Sequence, residues 1–319
     1  MKNKEEPKID LDEWKSLAGF YKDPFIDSEW IDQSVYVLRP NGALLNEVSD
    51  STKNRESQIM LVRGPYGIGK GAFKHALETC LDQCTDIVIN AFTVKQPNLT
   101  ELQFYRAVGN AIGLEFGTYL RDRWEVRRKL EKKIIDETKN GFFLLIVDDA
   151  HYITPDALHA IKYITDIEQN NVKCCTALLL GTDAILETLK RKGLGQVVDR
   201  IHLRRSMKAF SQRDTLEYIA RAIAFSRDEP LQLDYAFPDT PTEVQEEKSK
   251  LEPFEVLAGI RVYSLTSGIP RHVRLLCSEA IKMAAITADS RKGAEMLNIV
   301  PDTIQLAWDS LLGKGEIPS

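Results

Sequence analysis

Gly64-Pro65-Tyr66-Gly67-Ile68-Gly69-Lys70-Gly71 is the stretch on which the reading of this chain turns. It follows a short apolar strand, Gln58-Ile59-Met60-Leu61-Val62, and precedes a helical pattern over 71–82. Strand, glycine-rich loop, lysine and helix together make a phosphate-binding loop. The glycines let backbone N–H groups turn inward around a phosphate, and the helix N-terminus adds a favourable dipole. Lys70 is placed to reach the β- and γ-phosphates of a nucleotide. Gly71 and Ala72 follow it, so the Ser/Thr hydroxyl that ordinarily meets Mg²⁺ is missing. The alternative is an ordinary glycine-rich turn.

A second motif favours the phosphate loop. Residues 142–147, Phe-Phe-Leu-Leu-Ile-Val, form a continuous apolar run, the pattern of a strand buried on both faces of a parallel sheet. The run ends in Asp148-Asp149-Ala150-His151. Placed beside the phosphate-loop strand, Asp148 can hold Mg²⁺ through water, and Asp149 can orient an attacking water.

The 319 residues are 43% apolar and 28% charged, the composition of a soluble globular protein. No window approaches 18 uninterrupted apolar residues, and the first residues lack a signal-peptide core, so a cytoplasmic protein without a membrane partner is expected. Cys80, Cys84, Cys174, Cys175 and Cys277 have no metal or disulfide spacing and read as reduced, buried thiols. The five histidines (75, 151, 159, 202 and 272) are scattered likewise. The net charge of −5 is unevenly spread. Residues 121–133 carry seven basic side chains against three acidic ones, whereas 228–255 is acidic and proline-rich and reads as an exposed insertion or long loop.

Strands are expected at 58–62, 87–92, 142–147 and 176–180. Helices fill the gaps at 71–82, 99–113, 118–138, 155–168 and 183–192. Such alternation predicts an α/β fold, a parallel sheet covered by helices on both faces. Beyond about 210, strands give way to amphipathic helices at 213–225, 253–266, 272–285 and 301–312. The expected domains are an N-terminal extension (1–40), an α/β nucleotide-binding domain (41–208) and a small helical lid (209–319) carrying the acidic insertion. Trp14, Phe20, Tyr21, Phe25 and Trp30 are expected packing anchors of the N-terminal region.

This order of parts resembles a P-loop AAA+ ATPase over roughly residues 40–315. Gly268-Ile269-Pro270-Arg271 resembles the Gly-x-Pro-Arg sensor 2 motif, which implies that Arg271 approaches the γ-phosphate. Leu180-Gly181-Thr182-Asp183 ends a strand where such proteins keep a polar sensor 1 residue, here Thr182. Arg200-Ile201-His202-Leu203-Arg204-Arg205, with Phe210-Ser211 and 215–219, is similar to a segment of the ExeA-like and TnsC-type transposition regulator ATPases. The resemblance implies ATP and Mg²⁺ as cofactors, Gly64, Pro65, Tyr66, Gly67, Ile68, Gly69, Lys70, Gly71 and Ala72 as the nucleotide loop, and Asp148 as the metal residue. Asp148, Asp149, Thr182, Arg200 and Arg271 become the catalytic set. Arg200 is read as an arginine finger acting on a neighbouring subunit, with Arg204 and Arg205 in reserve; a solvated basic face is the other reading. Family members generally have Ser/Thr at the place of Gly71 and glutamate at that of Asp149, so slow hydrolysis is expected.

In transposition-type ATPases, basic residues between the second and third strands meet duplex DNA. Arg121, Arg123, Arg127, Arg128, Lys132 and Lys133 lie in that interval, and they serve equally as a solvated helix face. Trp124 is either a core contact or lies against a nucleic-acid backbone. The leading expectation is a protein that assembles with itself around ATP and binds double-stranded DNA without sequence preference, as a transposition regulator or target-selecting adaptor with a transposase or targeting factor as partner. Gly71 and Asp149 favour a different reading, a catalytically weak scaffold. A secretion-type ATPase is disfavoured by the lack of a following membrane span.

Overall fold

The computed structural model describes residues 19–25, 35–37, 39–84, 88–95, 97–116, 122–139, 141–232, 235–239, 241–290 and 297–317, with the helical backbone alone at 241–242 and 286–290. Trp14, Trp30 and Arg121 lie outside these residues. Two compact units emerge: residues 41–208, and residues up to 40 together with those from 209 onward.

The first unit is built on strands β1 (Ile59–Arg63), β2 (Val88–Val94), β3 (Gly141–Val147), a hairpin of β4 (Glu168–Gln169) and β5 (Val172–Lys173), then β6 (Cys175–Gly181) and β7 (Ile201–Ser206). Five of them form one parallel sheet in the order β2-β3-β6-β1-β7. Every residue of β3 and β6 is buried, as continuous apolar runs require when helices cover both faces. β7 alternates instead, with Ile201 and Leu203 inward and His202 and Arg204 outward, the pattern of a half-covered edge. That alternation hid it from the sequence reading.

The order corrects one expectation. β3 does not lie beside β1, because β6 pairs with both and separates them: Leu61 aligns with Leu179, and Leu179 with Val147. The tip of β6 therefore stands between those of β1 and β3 at the carboxyl edge of the sheet.

Local chemistry sets the helix starts. Thr100 caps helix Glu101–Ala111 in a reciprocal box with Gln103, and Thr154 caps helix Pro155–Asp166 with proline at its first position. The latter buries Leu158, Ile161 and Ile164 at helical spacing, each contributing about 1.5–3 kcal/mol of apolar burial. The helix Arg39–Lys53 was not anticipated; its Arg-Pro-Asn-Gly start has no apolar period.

The second unit contains helices Gln212–Ser226, Pro241–Glu246, Val256–Thr266, Pro270–Ser290 and Pro301–Lys314. Phe20, Phe25, Val35 and Val37 join its core, so the described part of the N-terminal region packs as part of this unit. The acidic stretch, expected as an exposed insertion or long loop, carries the short helix Pro241–Glu246 and is anchored to the rest of the unit. Arg221, 1% exposed, bonds the carbonyls of Gln232 and Tyr235 and the carboxylate of Glu217, which accepts from Phe237 N and pairs with Arg39. Buried backbone carbonyls need donors, and Arg221 supplies them. No helix among the described residues is long and apolar enough to cross a membrane.

Candidate functional site at the carboxyl edge of the sheet

β1 runs straight into the glycine-rich loop, and Gly64 N donates to Gly181 O at 3.0 Å, tying the loop base to the end of β6. Gly67 and Gly69 have φ of 78° and 97°, left-handed values that a side chain would resist. Gly69 is the N-cap of helix Lys70–Asp82 and offers no side-chain capping bond, so the first N–H groups of that helix remain available to an anion. Lys70 folds back onto the loop, its Nζ donating to the carbonyls of Gly64 and Pro65 at 3.0 Å each. Burial lowers its pKa, with Asp149 and Asp148 opposing that shift. The loop carbonyls hold an ammonium that a phosphate would recruit.

Gly71 faces open space: a Cβ built there meets nothing within 4 Å. One turn further along the helix, Lys74 Nζ lies 3.6 Å from Asp148 Oδ2. Asp148 also accepts from Asp149 N at 3.0 Å. Asp149 itself is left-handed (φ 48°, ψ 38°), a conformation that aspartate tolerates better than most residues. It opens the 3-10 turn Ala150–Tyr152 and leaves its carboxylate exposed.

The sequence reading did not single out the next group. His151 Nε2 and the Tyr66 hydroxyl are 2.7 Å apart, and the Tyr66 hydroxyl is 3.5 Å from that of Tyr152. The His151 ring is 3% exposed, with Nδ1 unbonded and 4.0 Å from Asp149 Oδ1. Burial lowers its pKa, which favours the neutral ring. Hydrogen bonding to Tyr152 raises that of Tyr66. This chain links the phosphate loop to the acidic strand end. Thr182 is buried at the tip of β6, where Gly181 approaches the His151 backbone so closely that a Cβ would stand 3.0 Å from its nitrogen.

Residues 53–189 match the family described as AAA domain. The general secretion pathway protein A of Aeromonas hydrophila is 22% identical over 237 residues, which are 73% of this chain and 38% of that protein. The chain thus spans well under half the length of the curated relative it matches. Among solved structures, the Aeropyrum pernix ORC2 protein in its ADPNP–ADP complexes has a TM-score of 0.60 at 17% identity, covering 94% of this chain and 76% of its own. The Drosophila ORC bound to DNA gives 0.58 at 13% identity, covering 98% and 70%. Cdc6p from Pyrobaculum aerophilum gives 0.57 at 13%, covering 87% and 70%.

The fold is that of the AAA+ ATPases. Within it, the expected site residues fall into separate groups. The loop 64–72, Asp148, Asp149 and Thr182 gather at the carboxyl edge of the sheet. Arg200 stands at the opposite edge, just before β7, where Ile59 N donates to its carbonyl. Its guanidinium forks onto Asp166, with Nε and NH2 at 3.2 and 3.1 Å from the two carboxylate oxygens. Arg204 bonds the carbonyls of Ile201 and Val198, and Arg205 forks onto Glu47. Arg271 belongs to the second unit, exposed in the first turn of helix Pro270–Ser290. Gly268 ahead of it has φ 69°, and a Cβ there would meet Phe210 O at 2.0 Å, so only glycine fits this entry.

For Mg²⁺, the assigned residue Asp148 already faces Lys74, and position 71 offers no hydroxyl. Among the described residues no group of three or more His, Cys, Asp or Glu is placed to hold a metal. These side chains do not fit a firmly held ion.

The basic helix, Arg123–Glu137, divides in two. Arg123 pairs with Glu101, Lys133 with Glu137, and Arg127 lies over the Tyr163 ring at 3.6 Å. Each of these three has a partner within the chain. Arg128 and Lys132 are exposed and form no salt bridge with a described residue. Trp124 is 64% exposed between Arg123 and Arg127, so it is not a core contact.

Proposed function

We propose that the chain is an ATP-responsive AAA+ protein that assembles with itself and acts on double-stranded DNA without reading sequence, in the manner of transposition-type regulators or target-selecting adaptors. The observation that carries the reading is the loop with its free helix N-terminus and Lys70 held on its own carbonyls, opposite Asp148 and Asp149. Support for DNA comes from exposed Arg128, Lys132 and Trp124 between β2 and β3, and from a fold shared with an origin recognition complex solved on DNA. Arg200 and Arg271 are assigned to γ-phosphate contacts, Arg200 from a neighbouring subunit, and Thr182 to sensor 1. ATP occupies the loop 64–72. Asp149 accepts a proton from water as that water bonds the γ-phosphorus and the bond to the ADP oxygen breaks.

Lys70→Ala tests the reading at its root. Calorimetric titration with ATP should show affinity falling at least about tenfold, since the mutation removes the cation facing the phosphates. Equal affinities would reject the phosphate loop.

A second reading has its own support. The similarity to the general secretion pathway protein A is compatible with a secretion-type ATPase, and the occupied Arg123, Arg127 and Lys133 favour a nucleotide-holding scaffold for a protein partner. ATP-dependent DNA binding at low salt separates these from the first reading.

A further inference from the structure

Position 74 neighbours both 70 and 71 on the helix that follows the loop, because residues three and four apart are neighbours on a helix surface. Lys70 points to the loop carbonyls. At position 71 the site has space and no oxygen. At position 74 it has a second ammonium, and that ammonium is 3.6 Å from Asp148, the one carboxylate assigned to a metal. Both partners are largely withdrawn from water, Lys74 at 18% and Asp148 at 25% side-chain exposure, so their attraction is less screened than at an open surface.

A site that holds Mg²⁺ beside a nucleotide needs an oxygen donor near the metal and a carboxylate free to orient its waters. This site lacks the first and has a cation on the second. We propose that Lys74 takes the electrostatic place of the divalent cation, so that the loop holds a nucleoside triphosphate without a metal. The inference rests on the nucleotide-binding reading above. Two ammonium groups, Lys70 and Lys74, then flank the phosphate chain from one helix face, with the loop N–H groups on the other side. A lysine is a flexible point charge with three donors, suited to phosphate oxygens and free of the octahedral geometry that Mg²⁺ demands. Asp148 fixes the Lys74 side chain and lowers the cost of ordering it.

Calorimetric titration of the full chain with ATP, once in EDTA and once in excess MgCl₂, tests this. Wild type should bind ATP in EDTA within about threefold of its affinity in Mg²⁺. Lys74→Met should lose at least about tenfold in EDTA and recover much of it in Mg²⁺, because Asp148 is then free. Lys74→Arg should retain metal-free binding, and a thermal melt of each variant confirms folding. Gly71→Thr with Lys74→Met should bind only with Mg²⁺. Wild-type affinity that rises tenfold or more on adding Mg²⁺, or Lys74→Met binding like wild type in EDTA, overturns the inference alone. No ATP binding by wild type in either buffer overturns the nucleotide reading, and this inference with it.

Discussion

The guanidinium of Arg200 is held in a two-point fork by the carboxylate of Asp166, at 3.1 and 3.2 Å, at the amino edge of the sheet. A third contact, from NH1 to the Gln196 carbonyl at 3.0 Å, leaves each guanidinium nitrogen engaged. An arginine that serves a neighbouring subunit must first leave these partners. Both side chains are partly exposed, so the pair is worth no more than about 1 kcal/mol.

Releasing Arg200 should therefore favour assembly. Asp166→Asn is expected to lower the protein concentration needed for ATP-driven assembly by about two- to fivefold, read by light scattering. Arg200→Ala should abolish the ATP-dependent increase while leaving ATP affinity of the monomer nearly unchanged. Assembly insensitive to both substitutions would remove Arg200 from the subunit contact.

Hydrolysis should fall below the ordinary enzyme range of about 1–10³ s⁻¹. The open space at Gly71 admits a threonine without collision, so Gly71→Thr should raise turnover in Mg²⁺. Adding Asp149→Glu lengthens the base by one methylene, but it places glutamate in a left-handed backbone that aspartate tolerates better. The double variant should gain activity and lose some thermal stability. Phosphate release and melting curves measure both, and brisk wild-type turnover would refute the expectation.

Acid should destabilise the protein below about pH 6.5, the ordinary histidine value. Burial lowers the pKa of His151, where Asp149 and Asp148 oppose and Lys70 reinforces the shift. Burial and then Arg271 lower that of His272. Each histidine binds fewer protons folded than unfolded, so unfolding takes up protons and stability rises with pH across this window. His151→Gln should flatten the lower part of the stability–pH curve, as followed by chemical denaturation from pH 5 to 7.5.

Duplex binding should depend on Arg128 and Lys132 far more than on the rest of the helix. Neutralising that pair should weaken binding to every sequence alike and reduce the salt slope by about 2, since each phosphate contact contributes about 0.9. Arg127→Ala should instead lower stability, because it removes the cation stacked on Tyr163. Fluorescence anisotropy on unrelated duplexes, with thermal melts beside it, distinguishes the two effects.

What the sequence made legible was whatever repeats locally. Apolar stretches announced β1, β2, β3 and β6, and glycines at fixed offsets announced the loop. β7 was missed because Arg204 and Arg205 made an edge strand look like a basic patch. The pairing of Lys74 with Asp148 spans more than seventy positions and leaves no periodic trace, although its place one turn after an absent hydroxyl was a signal within reach. The anchoring of the acidic stretch was hidden likewise, because Arg221 collects backbone carbonyls, which composition does not reveal. His151 was passed over because one histidine after two aspartates has no metal-ligand spacing, and its partner Tyr66 lies on another element.

The interior place of β1 has a consequence for how binding can be measured. With β6 and β7 bonded along its two sides and Ile59–Val62 fully buried, its amides can exchange with solvent only when the sheet itself comes apart. The loop and the first turn after it, by contrast, can open locally. Deuterium uptake in 59–62 therefore reports global opening, and its slowing by a ligand at concentration L, expressed as a free energy, equals RT ln(1 + L/Kd). Protection confined to 64–73 would instead report only the local ordering of the loop. One exchange experiment thus separates how tightly a nucleotide is held from how far its influence travels.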